Sequence, residues 1–330
     1  MRPRTRPKPP PAILAALVVL VAGLVAVAAA CGSSSSSSTT SPSPSAGGTT
    51  TTVAGIPITS DPSLKAMLPA SIVSANQIRV ASDIPYPPWE YYTSSTSKQA
   101  TGFDYDLSQA LGAKIGIPVS FLETPFDSII LAVKGGRRDM IMSDMADTTI
   151  RQKAGITFVD YAFDAASIIV PKGNPKGVTN LNSLSGKTVV VEDGTTEQIL
   201  LTKLNAQFKK AGKPQMNVLA LANQPAALLA VSSGRAIGDL TDHSTAEYIA
   251  KTTNNGNSFE VVQDPAAPNG YYPELIGIGI PATDTQLVST VQKALQDLIA
   301  DGTYAKIVAK YGLLPVKTVK INAGVSYTPY

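Results

Sequence analysis

The chain is poor in the residues that build covalent or metal chemistry. It has one cysteine, Cys31, so no internal disulfide can form. It has one histidine, His243, with no serine or cysteine partner evident, and no HExxH, CxxC or GxSxG motif. Neither a cofactor nor a metal is expected from such a set. The stretch "GIGIPA" (Gly277 to Ala282) mimics a dinucleotide fingerprint, but Pro281 and the apolar alternation read it as a strand. Charge of one sign is scarce as well. The formal net charge is +3, yet Arg2, Arg4, Arg6 and Lys8 all precede the first apolar run, and the remainder is close to neutral. Nothing here asks for nucleic acid. Lys209, Lys210 and Lys213 read as a solvated helix end. Aromatic residues make up only 6% of the chain, but four of them crowd into "SDIPYPPWEYY" (Ser82 to Tyr92), beside three prolines, directly after the strand-like "IRVA".

What is present begins with a targeting segment. Basic residues precede "AILAALVVLVAGLVAVAAA" (Ala12 to Ala30), and Cys31 follows. This is the order of an export signal. The tail "AAAC" resembles a bacterial lipobox, with Ala28 where a large aliphatic residue is usual. Cys31 is then the lipid attachment point; a retained transmembrane anchor is the alternative, because the run is just long enough to span a bilayer. Residues 32–52 are Ser, Thr, Pro and Gly, a composition that cannot bury a core and reads as a flexible tether reaching roughly 25 Å on average.

From Ile78 onward, strand and helix signals alternate. "DLSQALGAKIG" carries Leu107, Leu111 and Ile115 four apart, a helical stripe, and "KTVVVE" (Lys187 to Glu192) reads as a buried strand. The pattern occurs over about 78–165 and again over about 166–262, with a last strand and two helices left over. Alternating elements of this kind imply open α/β sheets. Ligands bind beyond the carboxyl ends of such strands. Polar residues stand there in both halves: Asp83, Ser143 and Asp144, then Asp193 to Thr196 and Asp242. They converge if the halves face each other across a cleft.

At these residues the chain resembles the family 3 extracellular solute-binding proteins, which deliver polar amino acids to ABC transporters. The matching segments, in order, are "SDIPYPPWEY", "GFDYDL" (Gly102 to Leu107), "PFD" (Pro125 to Asp127), "SDMADTTIR" (Ser143 to Arg151) and "FVDY" (Phe158 to Tyr161). They continue with "EDGTTEQ" (Glu192 to Gln198), "GRAIGDLTD" (Gly234 to Asp242) and "ADGTYAKIVAKYG" (Ala300 to Gly312). The resemblance runs from about Ile78 to Leu314. It implies an α/β fold of two lobes, the type II periplasmic-binding-protein-like fold, with a two-crossing hinge near 162–168 and 262–275. The expected layout is a signal over 1–31, a tether and pre-domain segment over 32–76, and lobe 1 over 77–165 plus 276–316. Lobe 2 covers 166–262, the second hinge 263–275, and a tail 317–330.

The resemblance also assigns roles. Arg151 takes the ligand carboxylate, since a planar guanidinium meets two oxygens at once. Asp242 takes the ammonium, with a helix N-cap as its structural alternative. Gly194, Thr195 and Thr196 form a strand-to-helix turn whose N–H groups suit an anion. Tyr86 and Phe126 cover the aliphatic part, Trp89 packs in the lobe core, and the prolines hold the chain extended so that Asp83 and Tyr86 face the cleft. Two positions depart from the family pattern. Ala146 replaces a hydroxyl residue, leaving its backbone N–H, and Asp144 replaces a small residue. With Asp83, Asp144, Asp193 and Asp242 against Arg151, Asp104 joining them or capping a helix, and Ser143 beside them, the acid excess favours arginine, lysine, ornithine or histidine, with a neutral polar amino acid next. The expected protein is a monomeric lipoprotein outside the cytoplasm that hands its ligand to permease subunits. The alternatives are a dehydratase acting on prephenate- or arogenate-like acids, and a surface sensor.

Overall fold

The computed structural model describes residues 47–94 and 96–324. Cys31, the apolar run before it and most of the tether lie outside those residues. Among the described residues no helix is long and apolar enough to cross a membrane.

The described chain starts with a hairpin, β1 (Thr50–Val53) and β2 (Ile56–Thr59), paired antiparallel from Thr50↔Thr59 to Val53↔Ile56. The tether was expected to run through residue 52. The threonines instead form a strand, because a β-branched side chain favours extended backbone once a partner strand and an apolar surface are at hand. Two short helices follow, α1 (Pro62–Met67) and α2 (Ala70–Ala75), which bury Leu64 and Ile72.

Lobe 1 is then laid down as β3 (Ile78–Ser82), a two-residue pair β4 (Tyr91–Tyr92) and β5 (Ala100–Thr101), and α3 (Phe103–Ile115). It continues with β6 (Val119–Glu123), α4 (Ile129–Lys134), β7 (Met140–Ile141) and α5 (Thr149–Lys153). α3 carries Asp104 and Asp106 in its first turn, where acids complement the helix dipole, and ends on Gly116 in the left-handed conformation that glycine adopts without penalty. β8 (Ile156–Pro171) is one unbroken strand of 16 residues. Its first part pairs with β13 (Tyr271–Pro281), and its later part with β11 (Asp239–Asp242) and β12 (Phe259–Val261). The expected lobe boundary at 165/166 therefore falls inside a continuous strand that belongs to both halves.

Between those strands come β9 (Thr188–Glu192), α6 (Thr196–Lys210), β10 (Asn217–Leu221), α7 (Gln224–Ser232) and α8 (His243–Thr252). The chain closes with α9 (Thr285–Ala300), α10 (Thr303–Tyr311) and β14 (Leu314–Ile321). Residues 317–321, expected as tail, add a strand edge to β8. The strand order is β10-β9-β11-β8-β13-β7-β3-β6, with parallel pairs at β9/β10 and β3/β6. One half of that order is lobe 2 and the other is lobe 1. Each lobe has its own core. Lobe 1 buries Trp89, Phe103, Leu107, Leu111, Tyr161 and the α9 stripe of Leu287, Val291, Leu295 and Leu298. Lobe 2 packs Val189, Val191, Leu200 and Leu204 on one side of its sheet and Val190, Ala227 and Ile249 on the other. A strand covered on both faces reads as the continuous apolar run "TVVV".

Candidate functional site

The strand ends of the two lobes meet in a cleft lined by Asp83, Tyr86, Phe126, Ser143, Asp144 and Arg151 from lobe 1. Glu192, Thr195, Thr196, Glu197 and Asp242 line it from lobe 2. Nine of the residues expected from sequence are in this lining. Ala146 and Gly194 are not; they reach the site through their backbone carbonyls, which accept from Arg151 Nη1 at 2.8 Å and Nη2 at 3.3 Å.

The proline-rich segment is compact rather than extended. The Tyr86 N–H donates to the Glu90 carbonyl at 2.6 Å and the Trp89 N–H to the Tyr86 carbonyl at 3.0 Å, so the chain turns back on itself after β3. This turn aims Tyr86 across the cleft. Its hydroxyl donates to Asp242 Oδ2 at 2.6 Å and lies 2.8 Å from Thr241 Oγ1. Trp89 is fully buried edge-on to Phe103 and Tyr161, as expected, but its indole N–H also donates to Ser244 Oγ of lobe 2 at 2.8 Å. The crowded aromatics thus serve two ends: an apolar floor, and two polar tips that touch the other lobe.

Asp242 occupies the N-cap position of α8, yet its side chain makes no cap bond there. Asp164, from β8, does that job: its Oδ1 accepts from the Ser244 N–H at 3.3 Å and its Oδ2 from the Ser244 hydroxyl. Asp242 is thereby left to the cleft. Asp144, Asp164 and Asp242 bring carboxylate oxygens within 4.8 Å of one another, all buried. Asp144 stands at a φ of 41°, and neither of its carboxylate oxygens has a hydrogen-bond partner. Its backbone N–H is held by Asp104 Oδ2 at 2.9 Å. Burial pushes Asp144 well above the ordinary carboxylate range, and Asp242 and Asp164 push it further. The same burial holds Asp242 well up and raises Asp164 to about 6.

A second carboxyl pair spans the lobes. Burial raises Asp83 and, further, Glu192, whose carboxyl sits against that of Asp83. The Asp83 N–H donates to Ser143 Oγ at 2.9 Å, and that hydroxyl donates to Glu90 Oε1 at 2.7 Å, which ties the end of β3 to the segment after β7. Arg151 is buried, 5.4 Å from the centre of the Phe126 ring, and burial lowers its pKa while Glu274, Glu197 and Asp242 oppose the shift. Thr195 caps α6 by accepting from the Gln198 N–H at 3.3 Å, and Gly194 adopts a φ of +84° beside Asp127 of lobe 1.

Two expected acids do other work. Asp193 accepts from Gln198 Nε2 at 2.7 Å and is not in the lining. Asp104 lies behind the site, where it accepts from Tyr161 OH at 2.6 Å as well as from Asp144. His243 bonds Ser167 through Nδ1 at 2.8 Å. Conversely, Glu192, Glu197, Asp164 and Glu274 were not read from sequence as site residues. The available signal was an acid ending or interrupting an apolar strand, as in "VVVE" and "YAFDAAS", where burial demands a partner.

Two α/β lobes that share long strands and close on a polar cleft define a two-lobed solute-binding protein. The chain matches the model of the bacterial extracellular solute-binding proteins, family 3, over residues 78–313, and it belongs to that family. It is similar to the lysine/arginine/ornithine-binding periplasmic protein of Escherichia coli (strain K12), at 30% identity over 71% of this chain and 86% of that one. Among solved structures it is similar to an ancestral arginine-binding protein bound to arginine, with 29% identity and a TM-score of 0.61 over 72% of this chain and 98% of that one. It is equally similar to the ancestral amino acid-binding protein AncCDT-1, a precursor of cyclohexadienyl dehydratase, with 29% identity and a TM-score of 0.61 over 73% and 97%.

Proposed function

We propose that this chain is the receptor of an ABC importer, which captures a basic amino acid between its lobes and presents it to permease subunits. The observation that carries this reading is the pair of buried acids Asp144 and Asp242, which line the inter-lobe cleft with Arg151 and have Asp164 close behind them. Buried charges need partners, and a cationic ligand supplies them. In this reading Asp242 and Asp144 receive positive charge, Tyr86 and Phe126 cover the aliphatic stem, and Thr196 and Arg151 face the carboxylate. The lobes close by hinge bending along β8 and β13. Cys31 carries the lipid, and the Ser/Thr-rich segment after it lets the module stand off the outer face of the membrane; replacing Cys31 with serine should release the protein from the membrane.

The dehydratase alternative is disfavoured by the same acids. Its prephenate-like substrates are anions, and the cleft would set them against Asp83, Asp144, Glu192 and Asp242. A thermal-shift screen of the common amino acids tests the receptor reading. A ligand at a hundred times its Kd adds about 2.7 kcal/mol to stability, so arginine, lysine, ornithine or histidine should stand out. A screen in which none of them shifts the transition would remove the reading.

A further inference from the structure

Arg151 is carried by α5, a helix of five residues. So short a helix does not hold itself and must be tied from outside. Its start is tied through Asp147. The Asp147 N–H donates to the Leu275 carbonyl of β13 at 2.7 Å, and its Oδ1 accepts from Gln152 Nε2 of α5 at 2.7 Å. On one side of it the Ala146 carbonyl holds Arg151 Nη1; on the other, Thr148 caps α5 by accepting from the Arg151 N–H at 3.3 Å. The remaining oxygen, Asp147 Oδ2, accepts from the Gly324 N–H at 2.6 Å. That donor arrives at the end of a strap. β14 begins opposite Phe163 in the strand that both lobes share and runs along it to Ile321 opposite Val159. Asn322 then takes both backbone groups of Phe158: its Oδ1 accepts from the Phe158 N–H at 2.8 Å, and its N–H donates to the Phe158 carbonyl at 3.1 Å. The Ala323 N–H donates to Asp160 Oδ2 at 3.2 Å. Gly324 passes so close that a Cβ on it would lie 1.9 Å from the Asp147 carbonyl oxygen. The whole strap lies beyond residues 78–313, which match the family model.

The strap ends on a pair of buried acids. Asp147 and Asp160 are each 1% exposed, and Asp160 Oδ1 has no donor. Burial, and after it Asp147, raise Asp160 to about 7; Lys320 of β14 opposes them, and β13 faces the group with the uncharged Gly277. Below that pH a proton on Asp160 relieves the pair. Above it two carboxylates stand together, and the N–H groups of Ala323 and Gly324, with Gln152 and Lys320, offset their repulsion.

We propose that residues 322–324 are a positioning latch for the ligand site. By holding Asp147 they hold the start of α5, and so set the Arg151 guanidinium against the ligand carboxylate. The part played by Arg151 rests on the receptor reading; the hold of the latch on α5 does not.

Two variants release the latch. Gly324→Ala does so by the clash, and a chain ending at Ile321 does so by losing both donors while keeping β14. Hydrogen exchange over residues 146–153, in protein without added ligand at pH 8, is the first readout. It should speed up about tenfold or more in both variants, as expected for losing a hydrogen bond to a charged group, while lobe 2 is unchanged. Exchange as slow as in wild type in both variants overturns the proposal. Arginine titrated calorimetrically at pH 6 and pH 8 is the second readout. Each variant should bind it about fivefold more weakly than wild type at pH 8. The loss should be smaller at pH 6, where Asp160 keeps its proton. Asp160→Asn in the shortened chain, whose amide can donate to Asp147, should restore the affinity at pH 8. An unchanged affinity at pH 8, or a loss equal at both pH values and not restored by Asp160→Asn, also overturns the proposal, because packing alone would behave so. If the wild-type protein binds neither arginine nor lysine, ornithine or histidine, the receptor reading falls and the exchange readout alone decides the latch.

Discussion

Asp144→Asn should stabilise the ligand-free protein and weaken its ligand binding at the same time. Asp144 is 6% exposed, both its carboxylate oxygens lack a donor, and two further carboxyls crowd it within 4.8 Å. Its pKa is held well above the ordinary range, first by burial and then by Asp242 and Asp164. Leaving one buried polar group unsatisfied costs about 1–3 kcal/mol, and more when it is charged. The amide of asparagine places two N–H donors where Asp164 and Asp242 can accept them, and asparagine tolerates the positive φ of 41°. A gain of about 1–3 kcal/mol is therefore expected at pH 8. For a fold of this size each kcal/mol moves Tm by about 2–4 °C, so the melting temperature should rise by several degrees. The sign of the pH dependence follows from the raised pKa: protonation of the wild-type carboxyl relieves the crowding, so the gain should be smaller at pH 5 than at pH 8. A cationic ligand loses a buried charge partner, which costs roughly 2–5 kcal/mol, or about thirtyfold or more in Kd at 1.4 kcal/mol per tenfold. Differential scanning calorimetry at pH 5 and 8, with titration of arginine, measures both arms. A variant less stable than wild type at pH 8, with unchanged affinity for arginine, would refute the account of Asp144 as an unpaired acid kept for ligand.

Arg151→Lys should weaken amino-acid binding and loosen the lobe contact, because an ammonium cannot donate to the Ala146 and Gly194 carbonyls while also facing a carboxylate; wild-type affinity by calorimetry would argue that the guanidinium is purely structural. The stability of the ligand-free protein should fall as pH rises from about 5 to 8. Asp164, Asp104, Asp239 and Glu274 are raised by burial to about 6, 7, 7 and 8, so the folded state keeps protons that the unfolded chain loses near pH 4. A Tm that is flat or rising across that window contradicts the buried-acid picture. Gly194→Ala should hinder closure, since the new Cβ would lie 3.2 Å from the Asp127 Cα and the backbone φ is +84°. Small-angle scattering at saturating ligand should then show a larger radius of gyration than wild type, and equal compaction would show that the approach is not limiting.

The alternation of "TVVVE", "QILLTKL" and "NVLAL" specified the α/β class without help, because burial on both faces of a parallel strand and on one stripe of a helix leaves different periods in the sequence. Asp83, Asp144 and Asp242 of the cleft were legible for the same local reason: polar residues at strand ends have few structural uses. Local signals did not reach further. Asp193 and Glu192 are neighbours in "VED", and only the twist that turns one toward Gln198 and the other toward Asp83 decides which belongs to the site. Glu197 reads as an acid favouring a helix N-terminus until the other lobe buries it beside Arg151. Asp164 sits in the middle of a strand that sequence reading divides between lobes, and its role appears only when β8 is seen to run unbroken past the N-terminus of α8. The threonines at 50–52 become a strand only because β2 is there to pair with them. The sequence by itself determined the kinds of element, their order and most of the cleft-facing side chains, since these follow from burial along one element at a time. Tertiary structure decided which carboxyls meet, because that depends on groups far apart in the chain being brought together and desolvated.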